Sequence, residues 1–165
     1  MSRFVVDTNV PIVANGRPDP NNGNPPSHDC RIAAVQFLQK ILKNGTLVMD
    51  LAGEIQSEYR NHLNASGQPG VGDRFYQQVI NCAPRITERV DLLKRPDGEF
   101  VELPQALIDE NFDKSDRKFA ALANFTGAAV VNATDSDWVH HRTTLKSCGI
   151  RVKFLCGNNI KTWFA

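Results

Sequence analysis

Residues 4–9 read Phe4-Val5-Val6-Asp7-Thr8-Asn9, three apolar residues followed at once by three polar ones. A short apolar run that stops at polar residues is typical of a buried strand in a parallel sheet. Two later runs have the same form: residues 46–49 (TLVM) are closed by Asp50, and residues 128–132 (AAVVN) are followed by a polar segment. The three runs predict buried strands of one sheet.

The segments between these runs carry helical patterns. Apolar residues recur at helical spacing from Ile32 to Leu42, and two further alternating segments read as strands. Strands that alternate with helices indicate an α/β fold, here a three-layer α/β/α sandwich with a mainly parallel central sheet. The 165 residues fit one domain, 1–165. The remaining predicted helices cover 52–63, 74–81, 116–125 and 137–146, and the two strands cover 86–92 and 150–155.

Residues 16–29 (GRPDPNNGNPPSHD) are rich in Pro, Gly and Asn and predict a long flexible loop. Ser27 or Asp29 could cap the start of the helix that follows. The loop comes soon after Asp7. It either covers whatever binds there or is an unrelated surface insertion.

Acidic residues follow two of the predicted strands. Asp7 directly follows the first strand, and Asp135 and Asp137 follow the strand that ends at residue 132. In a parallel sheet ligands bind outside the carboxyl ends of the strands, so these acids point to one edge. Glu58 and Asp116 lie in predicted helices and could project toward the same edge.

Singly, each acid could equally be a turn, a helix start or a solvated residue. Several carboxylates at one spot repel each other, however, unless a positive ion neutralises them. Oxygen ligands in this number suit Mg²⁺ or Mn²⁺. Such an ion can polarise a phosphate oxygen and activate a water molecule for attack on phosphorus.

Four motifs, in order and over nearly the full chain, resemble those of the PIN-domain nucleases. They are VVDTNV at 5–10, EYRNHL at 58–63, DRKFAALA at 116–123 and VNATDSDW at 131–138. The segment GIRV at 149–152 resembles the closing strand of that family. The resemblance implies a nuclease that cuts single strands, usually of RNA, with DNA as the other substrate to consider.

The resemblance also implies roles for individual residues. It makes Asp7, Glu58, Asp116 and Asp135 the catalytic residues and the ligands of Mg²⁺ or Mn²⁺, with Asp137 as an auxiliary metal ligand. Thr8 or Asn9 would orient Asp7 or a substrate phosphate. Among the basic residues beside the acids, Arg117 is our candidate for substrate binding, although a solvated surface position is an equal alternative. The other basic residues there are Lys118, His140, His141 and Arg142.

The chain departs from the family pattern at Ala133, where a small hydroxyl residue is common. We therefore expect one hydrogen bond near Asp135 to be missing. The loop at 16–29 is also longer than in compact members of the family.

Two other classes of function compete with this interpretation. One is another α/β phosphotransfer enzyme, but a dehalogenase-type phosphatase needs an acid at Asn9, and a Toprim domain needs a glutamate at the first strand. The other is a catalytically weak PIN-like module that binds RNA or a protein. The presence of all the acids argues against it.

Composition adds a few general expectations. The net charge of +1 neither supports nor excludes a nucleic-acid ligand for an enzyme that carries its own cations. No apolar run is long enough to cross a membrane, and we expect no membrane partner and a cytoplasmic location. There the four cysteines are expected to be reduced thiols. An antitoxin or other protein partner and a homo-oligomer are further expectations for a small nuclease of this kind.

Overall fold

A computed structural model describes residues 2–21 and 23–165 and has a five-stranded sheet at its centre. The strand order is β3-β2-β1-β4-β5, and every neighbouring pair is parallel. Met1 and Asn22 lie outside the described residues. The strands are β1 (Arg3–Val6), β2 (Thr46–Asp50), β3 (Thr87–Val90), β4 (Ala129–Asn132) and β5 (Val152–Phe154).

Nine helices of the described chain flank this sheet: α1 (Asn9–Ala14), α2 (His28–Asn44), α3 (Glu54–His62), α4 (Val71–Asn81), α5 (Ala83–Ile86), α6 (Gln105–Asp109), α7 (Arg117–Thr126), α8 (Ser136–His140) and α9 (Arg142–Ser147). Parallel crossovers are right-handed in nearly all proteins. The strand order therefore puts α1–α5 on one face of the sheet and α6–α9 on the other. In agreement, α1, α2 and α4 pack on one another, whereas α7 packs along β1, β2 and β4. The predicted three-layer α/β/α sandwich is confirmed.

Most predicted elements are present, but the structure differs at several places, including the short helices α5 and α6, which the sequence did not predict. The predicted helix at 137–146 is two short helices, α8 and α9, which are interrupted at His141. Residues 9–14, to which the pattern assigned no structure, form the buried helix α1. Pro11 fits there because the N–H groups of a first helical turn have no partner within the helix.

The segment after α1 is shorter than predicted and is attached to the end of the described chain. Helix α2 already begins at His28, with the Ser27 hydroxyl accepting a hydrogen bond from Cys30 N at 3.2 Å. Ser27 N donates to Trp163 O at 2.8 Å, and Ala165 N donates to Pro25 O at 3.0 Å. We call residues 16–27 the entrance loop. Asn22, which the predicted loop includes, is not described.

A disulfide bond joins Cys30 of α2 to Cys156, which follows β5. The expectation of four reduced thiols is therefore wrong for this pair, while Cys82 and Cys148 are free. Sequence spacing gave no hint of the bond because the two cysteines are 126 positions apart and are brought together only by the fold. Among the described residues, no helix combines the length and the apolar character needed to cross a membrane.

Candidate functional site

The carboxyl ends of β1 and β4 lie side by side in the middle of the sheet. After β1 the chain passes to α1 on one face, and after β4 it passes to α8 on the other. A reversal of this kind leaves a crevice at the carboxyl edge, where α/β proteins bind their ligands. Asp7 extends the pairing of the two strands, because its N–H donates to Val131 O at 3.1 Å.

Three aspartates meet in this crevice. One carboxylate oxygen of each of Asp7, Asp116 and Asp135 lies within 4.8 Å of the corresponding oxygens of the other two. Asp7 and Asp116 are buried, and Asp135 is partly buried. Asp116 ends the short 3-10 turn Lys114–Asp116, which leads into α7. The fold thus brings together three of the four predicted catalytic carboxylates; we call them the aspartate cluster.

The surroundings of the aspartate cluster disfavour its negative charge. Burial, followed by the charges of Asp7 and Asp135, raises the pKa of Asp116 to about 12. Burial, followed by the charge of Asp135, also raises the pKa of Asp7 well above its ordinary value. Burial raises the pKa of Asp135, although a hydrogen bond with Asp116 opposes this rise. The cluster therefore holds protons in the metal-free protein and requires a cation when all three groups are charged.

Two neighbours orient Asp7. The indole Nε1 of the buried Trp138 donates to Asp7 Oδ2 at 2.6 Å, and Asn9 N donates more weakly to Asp7 Oδ1 at 3.4 Å. Trp138 is the aromatic residue of the fourth motif, and its ring packs edge-on against Phe112 at 5.1 Å between centroids. One oxygen of Asp7 is thus fixed by a side chain that packing itself holds in place.

Two asparagines hold the loop that carries Asp135. Asn9 Oδ1 accepts hydrogen bonds from Ala133 N at 2.8 Å and Thr134 N at 3.0 Å. Asn132 Oδ1 accepts from Asn9 Nδ2 and from Asp135 N. Asn9 therefore ties the end of β1 to the end of β4, and its side chain is occupied by protein groups. This supports a positioning role for Asn9 and leaves its side chain little capacity for a phosphate.

Glu58 stands beside the aspartate cluster and is held by two donors. The Thr8 hydroxyl donates to Glu58 Oε2, and Lys118 Nζ donates to Glu58 Oε1 at 2.8 Å. The neighbouring Tyr59 is buried, and its hydroxyl donates to Val6 O at 2.5 Å, which fixes α3 against the end of β1. Thr8 therefore orients Glu58 and not Asp7.

The four acids line one cavity of about 210 Å³, together with residues of the entrance loop. The entrance loop is therefore part of the site and not an unrelated surface insertion, because Asp19, Pro20 and Asn21 form part of the cavity wall. Asp19 is buried, with only 6% of its surface exposed. The remaining lining residues are Thr8, Asn9, Ile12, His62 and Ser115.

Two predicted site residues lie elsewhere. Arg117 is buried, and its guanidinium donates to Phe112 O at 2.8 Å and to Glu99 Oε2 at 2.6 Å. Arg117 does not line the cavity, and its role in substrate binding stays a prediction. Asp137 does not line the cavity; it accepts from Asp113 N at 2.9 Å and lies 3.2 Å from His141 Nε2. Its role as an auxiliary metal ligand stays a prediction.

Two residues of the site were not among the predicted site residues. Lys118 had been grouped with the basic residues beside the acids, but Arg117 was preferred to it. Lys118 Nζ donates to Ser115 O at 2.5 Å as well as to Glu58, and no local pattern distinguishes its direction from that of Arg117. Asp19 had no signal, because a single aspartate in a Pro- and Asn-rich segment reads as a turn residue.

The residues present fit a hard divalent cation. Three buried carboxylates with oxygens within 4.8 Å supply the anionic oxygen donors that Mg²⁺ and Mn²⁺ prefer. Histidine and cysteine are absent from this ligand group among the described residues, which argues against a zinc site.

Comparisons with known proteins give little beyond the fold. No family model matches the chain, and no curated protein matches it. A solved structure that does match is the crystal structure of VapBC2 from Rickettsia felis bound to a DNA fragment from its promoter. It is 14% identical, the match covers 92% of this chain and 98% of that chain, and the TM-score is 0.49. So loose a likeness carries no argument about chemistry. The order of the motifs along the observed three-layer fold agrees with the resemblance to PIN-domain nucleases.

Proposed function

We propose that this protein is a metal-dependent nuclease that hydrolyses phosphodiester bonds of single-stranded RNA. One observation carries the proposal: three buried aspartates face one another at the point where the sheet reverses, with Glu58 in the same cavity. Buried carboxylates without counter-charges cost folding free energy. A protein that keeps three of them together gains from the cluster only when it holds a cation.

Asp7, Asp116 and Asp135 would hold Mg²⁺ or Mn²⁺, with Glu58 and Asp137 as the further predicted ligands. When bound, the ion would polarise a phosphate oxygen and lower the pKa of a water molecule. Hydrogen bonds within the chain orient these acids. Trp138 holds Asp7, while Asn9 and Asn132 hold the loop that carries Asp135. Glu58 is held by Thr8 and Lys118.

The charge of the site sets the order of binding. A cavity lined by Asp7, Glu58, Asp116 and Asp135 offers a phosphodiester no free positive charge unless a cation is present. Among the described residues, Lys118 is the cation that pairs with one of these acids, and it balances only Glu58. RNA binding should therefore require the divalent ion, which a binding measurement can check separately from cleavage.

The family resemblance supports RNA over DNA as substrate, and an RNA substrate supports a cytoplasmic location. A disulfide is uncommon in that reducing compartment, so the state of the Cys30–Cys156 bond in cells is a direct check on the location. Alkylation of free thiols at lysis followed by mass spectrometry measures it. An antitoxin-like partner and a homo-oligomer are further proposals, to be tested by co-purification with the product of a neighbouring gene and by light scattering.

The decisive experiment measures cleavage of an end-labelled single-stranded RNA by the purified protein with Mg²⁺, with Mn²⁺ and with excess chelator. We expect cleavage with either ion and none in chelator. The variant Asp116→Asn should lose cleavage, because it removes one charge from the aspartate cluster with little change in shape. The matched control is Asp91→Asn, which removes a charge from an exposed position just after β3.

Cleavage that persists in chelator, or that survives in Asp116→Asn as well as in Asp91→Asn, would contradict the proposal. RNA binding without cleavage under every metal condition would favour the alternative of a non-cutting binding module. Hydrolysis of a small phosphate monoester in place of RNA would favour another phosphotransfer enzyme.

A further inference from the structure

The entrance loop contributes a further acid to the cavity, in addition to the aspartate cluster and Glu58. Asp19 is only 6% exposed, although it lies in a loop of Pro, Asn and Gly residues. It lines the same cavity as Asp7, Glu58, Asp116 and Asp135. A buried aspartate needs partners, so the contacts of its side chain show what it is used for.

The backbone of the loop is folded around Asp19. Asn21 N donates to Asp19 Oδ1 at 2.7 Å, Asp19 N donates to Asn24 O at 2.9 Å, and Gly23 N donates to Asp19 O at 2.7 Å. These bonds account for the backbone and for one side-chain oxygen. Among the described residues, the hydrogen bond to the Asp19 side chain is the one that Oδ1 accepts from Asn21 N, so Oδ2 has capacity for a further donor.

The position of this turn is fixed from both sides. On one side, Arg17 Nη1 donates to His62 O at 3.0 Å, and Arg17 Nη2 lies 3.7 Å from Asp73 Oδ2. On the other side, the Cys30–Cys156 disulfide and the bond from Ser27 N to Trp163 O attach the end of the loop to the segment after β5. Asp19 therefore belongs to a built wall of the cavity.

The chemistry of the site limits what Asp19 can contact. It is outside the group of aspartates whose oxygens lie within 4.8 Å of one another, so it is not one of the closely spaced cation ligands. A carboxylate repels a phosphate but accepts hydrogen bonds from hydroxyl and N–H groups. Its partner on a nucleic acid is thus a donor on the sugar or on the base.

The size of the cavity favours the sugar over the base as the source of this donor. At about 210 Å³ it is smaller than the roughly 300–1,000 Å³ of pockets that enclose a drug-sized ligand. A volume of this order suits a phosphodiester group with the adjoining sugar rather than a whole nucleotide, so we place the base outside the cavity. The donor that a sugar of RNA offers, and a sugar of DNA does not, is the 2′-hydroxyl.

We propose that Asp19 accepts a hydrogen bond from the ribose 2′-hydroxyl beside the scissile phosphate and thereby makes the site discriminate RNA from DNA. This inference rests on the proposed nuclease function and assigns a specificity residue to it. Asp19 acts on the choice of substrate, whereas the aspartate cluster acts on the reaction.

The test combines enzyme variants with substrate variants. The probes are a single-stranded RNA 12-mer and the same sequence with 2′-fluoro sugars, which lack the hydroxyl donor. The variants are Asp19→Ala, which removes the acceptor, and Asp19→Asn, which keeps an acceptor for Asn21 N and loses the charge. The control is Asp29→Asn, an exposed charge at the start of α2.

With Mn²⁺, Asp19→Ala should lower kcat/KM for RNA about tenfold and leave kcat/KM for the 2′-fluoro strand unchanged, so that the preference for RNA disappears. Asp19→Asn should lose part of the preference, and Asp29→Asn none. Equal losses on both substrates, or unchanged preference in both Asp19 variants, would overturn the inference. If Asp19→Ala does not fold, Asp19→Asn alone decides. A preference that follows base identity, and not the sugar, would also overturn it.

Failure of the nuclease proposal is recognised separately. If the wild type cuts neither strand, anisotropy with the same two labelled probes and Mn²⁺ measures their affinities directly. Tighter binding of RNA that Asp19→Ala abolishes would support the inference in a protein that binds without cutting. Equal affinities for the two strands, or no binding of either, would overturn it.

Discussion

Two adjacent strands of the sheet end at buried aspartates that have opposite uses. Asp50 ends β2 and is 1% exposed, and its two oxygens accept from Glu54 N at 2.7 Å and Ile55 N at 3.0 Å. Asp7 follows β1 and is 4% exposed, but it faces Asp116 and Asp135. Burial is nearly the same at the two strand ends. The difference lies in the partners: the first turn of α3 uses the charge of Asp50, whereas the charge of Asp7 faces other acids.

Asp73 shows the same structural use as Asp50. It is fully buried, and its oxygens accept from Asn64 N at 2.8 Å and Gly70 N at 3.0 Å. Asp50 and Asp73 thus stabilise loops and helix starts through backbone donors. The aspartate cluster has few such donors, so we expect its members to oppose folding in the absence of metal and to matter for activity in its presence.

The largest expected effect concerns the ligand set. Asp135→Asn should reduce cleavage by about a hundredfold or more, the usual cost of losing one well-placed electrostatic group. Asp137→Asn should cost less, because Asp137 lies outside the cavity and is occupied by Asp113 N and His141. Initial rates of RNA cleavage at saturating Mn²⁺ measure both. If Asp137→Asn were the more damaging variant, the assignment of ligands after β4 would be wrong.

The second effect is stabilisation by metal. At Mn²⁺ a hundredfold above its Kd, the wild type should gain about 2.7 kcal/mol of unfolding free energy, because the ion binds the native state alone. Asp116→Asn should lose most of this gain, and Asp50→Asn should keep it. Thermal unfolding with and without Mn²⁺ measures the gain. If Mn²⁺ did not raise the melting temperature of the wild type, the aspartate cluster would not be a cation site.

The third prediction compares the two kinds of aspartate without metal. Asp50→Ala should destabilise the protein by about 1–3 kcal/mol, since two backbone N–H groups lose their acceptors. Asp116→Asn should raise the stability of the same metal-free protein, because it removes a carboxyl group that must take up a proton when the chain folds. Urea unfolding in chelator gives both values. Effects of the same sign would remove the distinction between structural and functional aspartates.

The last prediction concerns the pH dependence of stability. The pKa of Asp116 is about 12 in the folded, metal-free protein, against about 4 in an unfolded chain. The folded state therefore binds more protons between these values, and the unfolding free energy falls as pH rises through this interval. We expect the unfolding free energy to decline from roughly pH 5 to roughly pH 8, and to decline less in Asp116→Asn. Urea unfolding in chelator at both pH values measures this change in unfolding free energy. A wild type that becomes more stable as pH rises over this range would contradict the prediction.

The fold was predictable from the sequence because its signals are local. Buried runs such as residues 4–6, each closed by polar residues, identified β1, β2 and β4, and helical spacing identified α2 and α7. The positions of Asp7 and Asp135 followed from the rule that parallel strands end at one edge. Ser27, at the start of α2, was also predicted as a possible cap.

The rest of the site depends on contacts between distant residues. Burial and the partner Glu99 direct Arg117 away from the cavity, and no local pattern distinguishes this from the direction of Lys118. The Cys30–Cys156 bond and the place of Asp19 in the cavity likewise depend on the path of the segment after β5. Sequence patterns give the periodicity of an element, but not which of its polar residues finds a partner in another element.

The path of the chain has a consequence during translation. Asp7 is made early, but Trp138, which orients it, follows 131 positions later, and β1 can pair with β4 only after residue 132 exists. At about 5–20 residues per second, roughly 7 to 26 s pass between the synthesis of Asp7 and that of Trp138. Until residue 135 is made, the chain holds one or two acids of the aspartate cluster and no complete cavity. If the proposed function is correct, the nuclease has no complete site while most of it is still being made, and most of its own messenger RNA passes through the ribosome before the site is assembled.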